Sequence, residues 1–195
     1  RLFYLSLPFY LKENDEPVWL DRDDTLEVIQ WTIENMRIDL SLGVPNDEVL
    51  STFYESLTNL EQFIYNHSLF PEKINKTIQL DFAPEYSFSK APVFLFNHHP
   101  KDFSIVAVYS IMAIGDNDKK YTLSRKEIDL INAKLIIPGF GVQIAYSQRH
   151  PSTIRYIFPD PVTSAGWKAY AVAMLLDQGF GDWNEEYHIL KLKEE

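Results

Sequence analysis

The chain has no cysteine. That excludes disulfides, thiolate metal sites and cysteine nucleophiles, and it leaves the cellular compartment open. Basic residues are the scarcer charge, 18 Lys and Arg against 28 Asp and Glu, for a formal net charge of −10. A surface of that sign repels phosphate backbones and anionic lipid, so nucleic acid is not an expected partner. No apolar run approaches the roughly 18 to 20 residues that cross a bilayer, so no membrane span is expected. The stretch Arg1 to Phe9 is too short and mixed for a complete signal peptide. The chain therefore reads as soluble. Repeats and low-complexity tracts are missing as well, which excludes solenoids and linkers. What is present is 195 residues with 46% hydrophobic and 14% aromatic content, enough to build the core of one domain.

Helical periodicity begins at Asp24, where Asp24-Thr25-Leu26-Glu27 offers an acidic N-cap with a carboxylate three residues on. Leu26, Ile29, Ile33, Met36 and Leu40 then fall on one stripe of a helix expected to end near Gly43. A second helix is expected from Asn46 or Asp47, with Leu50, Phe53, Leu57, Leu60 and Ile64 on one face, stopping before Pro71. Together, residues 24–70 predict an antiparallel helical hairpin. Over 77–115 the pattern changes to period two, and short strands or extended segments are expected at 77–82, 92–97 and 104–112, with a turn at Gly115-Asp116-Asn117. Helix resumes at Ser124-Arg125-Lys126-Glu127, a serine capping box followed by Ile128, Ile131, Leu135 and Val142. Pro138-Gly139 interrupts that pattern and predicts a kink. A further helix is expected from Thr163 to Gln178, with Trp167, Tyr170, Ala171 and Met174 inward and Gly179 closing it. Asn184 to Lys193 reads as the first turns of a last helix that stops abruptly, as in a fragment of a larger fold.

Within 124–193 the motifs are Ile136-Ile137-Pro138-Gly139, Val142-Gln143, Arg149-His150-Pro151-Ser152, Gly166-Trp167 and Leu176-Asp177-Gln178-Gly179-Phe180-Gly181-Asp182. Their order and spacing resemble those of a family of zinc-peptidase-like bacterial proteins, domain-of-unknown-function family 885. That family carries His-Glu-x-x-Pro-Gly-His, then an Arg-His-Pro-Ser stretch, a Glu-Gly-Trp helix and Leu-Asp-Gln-Gly-Tyr-Gly-Asp. The resemblance implies a mainly α (α+β), zincin-like helical domain with a small sheet or extended region. Since family members are much longer, it also implies a partial fold, which another polypeptide or an oligomer would complete. A bacterial cytoplasmic, periplasmic or secreted location follows from the same resemblance.

The chemical positions depart from the family. Its first histidine falls at Lys134, its glutamate at Leu135, its second histidine at Phe140 and the glutamate before Gly-Trp at Ala165. A catalytic zinc needs three imidazole or carboxylate ligands and an open position for water, and a general base beside them. Lysine brings a charge that repels a divalent cation, and Leu135, Phe140 and Ala165 have no side-chain lone pairs. The resemblance therefore implies a catalytically inactive metallopeptidase-like protein with a binding or structural role, holding no cofactor.

Rival readings rest on the remaining polar residues. His98, His99 and His150 are the alternative ligands if zinc is bound and the chain is an active hydrolase with non-standard ligands. Arg149 and Arg155 are candidates to hold the carboxylate of a peptide ligand. Ser-His-Asp hydrolysis lacks a Gly-x-Ser-x-Gly elbow. Gly139-Phe140-Gly141 and Gly179-Phe180-Gly181 lack the remainder of a dinucleotide fingerprint, and read as a helix kink and a helix end.

Overall fold

The computed structural model describes residues 1–13, 22–39, 43–45, 47–70, 77–82, 95–97, 105–111, 123–148 and 160–194. Its helices are α1 Leu2–Glu13, α2 Arg22–Asp39, α3 Val49–Asn66, α4 Arg125–Leu135, α5 Phe140–Gln148, α6 Pro161–Asp177 and α7 Glu185–Glu194; its strands are β1 Thr77–Phe82, β2 Leu95–Asn97 and β3 Ile105–Ile111. The protein is mainly helical, with a small sheet.

The capping box starts α4 as expected: Ser124 Oγ accepts from Glu127 N at 3.2 Å while Glu127 Oε2 accepts from Ser124 N at 3.0 Å. This helix is central because it is apolar on two sides. Ile128, Ile131 and Leu135 pack with Val49, Phe53 and Leu57 of α3, Leu80 of β1 and Val142 of α5. Leu130 and Ala133 join Leu60 of α3, Val172, Leu175 and Leu176 of α6, and Ile189 and Leu190 of α7. Each large apolar side chain buried in these clusters contributes about 1.5–3 kcal/mol relative to exposure.

α1 was not signalled by the sequence, because Pro8 lies inside it. It packs on α2 through Phe3, Tyr10 and Val28, with Tyr10 edge-on to Trp31 at 5.2 Å. The α1 helix also reorients α2. Val28 and Thr32 are the buried residues, Thr32 Oγ1 donating to Val28 O at 2.8 Å, whereas Leu26 of the expected stripe is 48% exposed. Asp24 lies in the first turn of α2 rather than capping it; the side chain of Met36 and all of Leu40 lie outside the described residues. Among the described residues α2 packs on α1 and α3 on α4.

The strands fall where period two places them. β1 runs parallel to β3 and β2 antiparallel to it, in the order β1-β3-β2. The sheet joins the helices through Tyr54 of α3, whose hydroxyl accepts from Leu80 N at 3.1 Å. The expected turn at 115–117 lies outside the described residues.

Arg125–Ser147 has a mean hydropathy of 1.3 over its most apolar window and so passes a test for membrane-crossing length and composition. The stretch is nevertheless core: 61% of that window is buried within the protein, and its helix is interrupted between Leu135 and Phe140.

One polar contact ties three helices. Asp129 of α4 accepts from Ser56 Oγ of α3 at 2.5 Å and from Tyr187 Oη of α7 at 2.6 Å. Burial first, and the Asp129 carboxylate second, push the Tyr187 phenol well above its ordinary range. Asp129→Ala leaves two largely buried hydroxyls without their acceptor and should cost about 2–4 kcal/mol in urea unfolding. The raised phenol gives a pH signature. Above the ordinary tyrosine value of about 10, the unfolded chain loses a proton that the folded chain keeps. Stability therefore falls as pH rises from there, and Tyr187→Phe should flatten that fall.

Candidate functional site

The kink expected at Pro138-Gly139 is a full break. α4 stops at Leu135, residues 136–139 turn, and α5 starts at Phe140. Ile136 N and Ile137 N both donate to Asn132 O, at 2.8 and 3.0 Å, which closes the end of α4. The turn brings the chain so near α4 that a Cβ on Gly139 would overlap the Lys134 carbonyl. Glycine is required here by close approach of backbone to backbone.

α6 is placed by its own cap. Asp160 accepts from Thr163 N at 3.0 Å and Val162 N at 3.3 Å, and Pro161 occupies the first helical position. Those bonds hold the Asp160 carboxyl below its usual range, the Thr163 hydroxyl contributing most. At the other end, Gly179 at φ +89° lets Phe180 N reach back to Leu175 O at 3.1 Å. So positioned, α6 sends Trp167 into the break. Its indole Nε1 donates to Gly139 O at 2.9 Å and Pro138 O at 3.1 Å. The Pro138 carbonyl, and the Gly139 carbonyl that also accepts from Gln143 N at 3.3 Å, thereby gain a donor from another helix.

At this junction lie three of the four positions singled out by the motif, with the fourth, Ala165, on the outer face of α6. Lys134 and Leu135 form the half-buried end of α4, and Leu135 packs against the α3–α4 core. Phe140 opens α5, half-buried, with Lys168 Nζ of α6 5.3 Å from its ring centroid. Ala165 is exposed, one turn before Lys168 on the same row of α6. The structure thus brings the ends of α4, α5 and α6 together. Among the described residues no group of three or more His, Asp or Glu is placed to hold a metal ion. His98, His99, His150, Arg149 and Arg155 lie outside the described residues.

Beside the junction is an open cavity of about 510 Å³. Phe70, Tyr146 and Trp167 give it aromatic walls; Val142, Gln143, Ser147 and Thr163 complete the lining, and none of the seven is charged. Sequence reasoning missed it because its walls come from Phe70 beyond α3, from α5 and from α6, and the motif residues among them, Val142, Gln143 and Trp167, gave no sign that they share a cavity. Tyr170 was expected inward and is 56% exposed; the buried side of α6 is Ser164, Ala171, Val172, Leu175 and Leu176. α6 is apolar on both sides, and periodicity cannot choose between two apolar faces.

No protein-family model matches this chain, and neither does any curated protein. Among solved structures, the chain is similar to one described as a putative lipoprotein of unknown function from Shewanella oneidensis, with a TM-score of 0.75 and 20% identity. The similarity covers 97% of this chain and 34% of that one, so the chain spans about a third of the structure it matches. A likeness at this identity concerns the fold.

Two glycines near the junction should respond with opposite signs. Gly139→Ala must push backbone apart and should cost about 3 kcal/mol or more, or prevent folding. Gly166→Ala, whose Cβ meets nothing within 4 Å, should gain up to about 1 kcal/mol of helix propensity. Trp167→Phe keeps the ring and loses the donor, at about 1–3 kcal/mol. Urea unfolding of the three variants checks all of these.

Proposed function

We propose that this chain is a catalytically inactive metallopeptidase-like protein with a binding or structural role. The observation that carries the reading is the junction of α4, α5 and α6. Trp167 holds a Pro-Gly helix break closed, and in sequence Lys134, Leu135, Phe140 and Ala165 fall at the positions of the resembled family's ligands and base. A structural zinc site supplies on the order of 10 kcal/mol or more of binding energy. A frame without it must be held by packing and hydrogen bonds, and the cores on both sides of α4 together with the indole bridge do this. Apolar Leu135 and Phe140 suit such a frame, because buried ligands without their metal would be unsatisfied polar groups. The aromatic cavity beside Trp167, uncharged among its described lining residues, supports a binding role. The described neighbour, a putative lipoprotein, favours the cell envelope or exterior as the location.

The test is metal content together with peptidase activity. The purified chain should carry well below one zinc per molecule by mass spectrometry, gain no stability from added zinc, and cleave no casein or mixed peptide substrate. Stoichiometric zinc with chelator-sensitive cleavage would overturn the proposal and favour an enzyme with ligands of another kind.

A further inference from the structure

From Pro161 to Leu176, α6 carries a single charged side chain, Lys168. Its inner face is core. Its outer face is apolar too: Val162 is 79% and Tyr170 56% exposed, Ala165, Gly166 and Ala169 are exposed, and Ala173 is half-buried. At 100° per residue these six fall on one continuous arc, and the cavity lined by Thr163, Trp167 and Tyr146 adjoins its edge. α3, also packed on α4, exposes Tyr54 and Tyr65 too, but sets them among polar side chains, Ser51, Glu55, Thr58, Asn59, Glu61, Gln62 and Asn66. A helix apolar all round belongs inside a protein, and small residues along it permit close approach of another helix.

We propose that the outer face of α6 seats an amphipathic helix with basic flanks, supplied by polypeptide beyond this unit. Two observations select that occupant. The fold spans only 34% of the solved chain it matches, so in that architecture further polypeptide accompanies this unit. The net charge of −10 favours a partner with basic flanks and opposes both a second copy and an anionic lipid surface. Aromatic or leucine side chains of the partner helix would enter the cavity beside Trp167, and its backbone would cross at Gly166 and Ala169. The inference stands on this surface alone and holds whether or not the junction binds metal.

The probe is a synthetic amphipathic helix of about 18 residues, the length of α6, with leucines on one stripe and lysines elsewhere. A second peptide of the same composition has its leucines spread around the helix. Fluorescence anisotropy at physiological salt should show the patterned peptide binding the chain about tenfold or more tighter than the spread one. Ala169→Glu should weaken it about tenfold, because a carboxylate would be buried in the contact, while Asn59→Glu on α3 leaves it unchanged. Pure charge attraction predicts the opposite sign for Ala169→Glu, so equal or tighter binding by that variant, or equal binding of the two peptides, overturns the proposal. A chain dimer in sedimentation that Ala169→Glu dissociates would assign the face to a second copy. Binding to phosphatidylcholine vesicles that the same variant abolishes would assign it to lipid. Either result overturns the proposal as well.

Discussion

The indole N–H of Trp167, shared between the carbonyls of Pro138 and Gly139, is the contact on which the arrangement of α4, α5 and α6 depends. Pro138 and Gly139 are both buried where the helix breaks, and a buried carbonyl short of donors costs free energy comparable to a lost hydrogen bond; Gln143 N reaches Gly139 O at 3.3 Å, and the indole serves both carbonyls. The donor here comes from a third helix. The bond therefore does two things at once: it satisfies the break and fixes where α6 lies. Gly139 completes the arrangement from the other side, since only a residue without Cβ can lie against the Lys134 carbonyl. Everything described as the candidate site, including the cavity, is a consequence of this three-helix junction.

The same junction explains why α4 is the hub. Its residues feed the α3–β1–α5 core on one side and the α6–α7 core on the other. Asp129 adds a polar tie to α3 and α7 at the hub's surface. Lys126 of α4 also pairs with Glu186 of α7, both half-buried. Packing on both sides of α4 and these polar ties hold the junction together.

Local signals in the sequence were informative wherever the cause was local. The Ser124 capping box, the Pro138-Gly139 interruption, the Gly179 helix end and the strand at 77–82 all appear in place. Signals failed where tertiary contacts decide. Pro8 hid α1, and without α1 the buried side of α2 was misjudged in part: Ile29 packs as expected, but Val28 and Thr32 are buried and Leu26 is exposed. Tyr170 was placed inward because α6 offers two apolar faces, and only the three-dimensional packing shows which one the core uses. The motif located Trp167 and the positions of Lys134, Leu135, Phe140 and Ala165, but not the cavity, whose walls are distant in sequence. Its reach to metal chemistry remains a proposal resting on residue identity.

The central proposal is that the chain retains the frame of a zinc-peptidase-like site without its ligands. Restoring them tests it most directly: the combined variant Lys134→His, Leu135→Glu, Phe140→His and Ala165→Glu, titrated with zinc by calorimetry beside the unmodified chain. The account predicts one tightly held zinc in the restored chain, with a rise in Tm, and none in the parent. A restored chain that folds and still binds no zinc would contradict it, because the junction would then lack the geometry the claim requires.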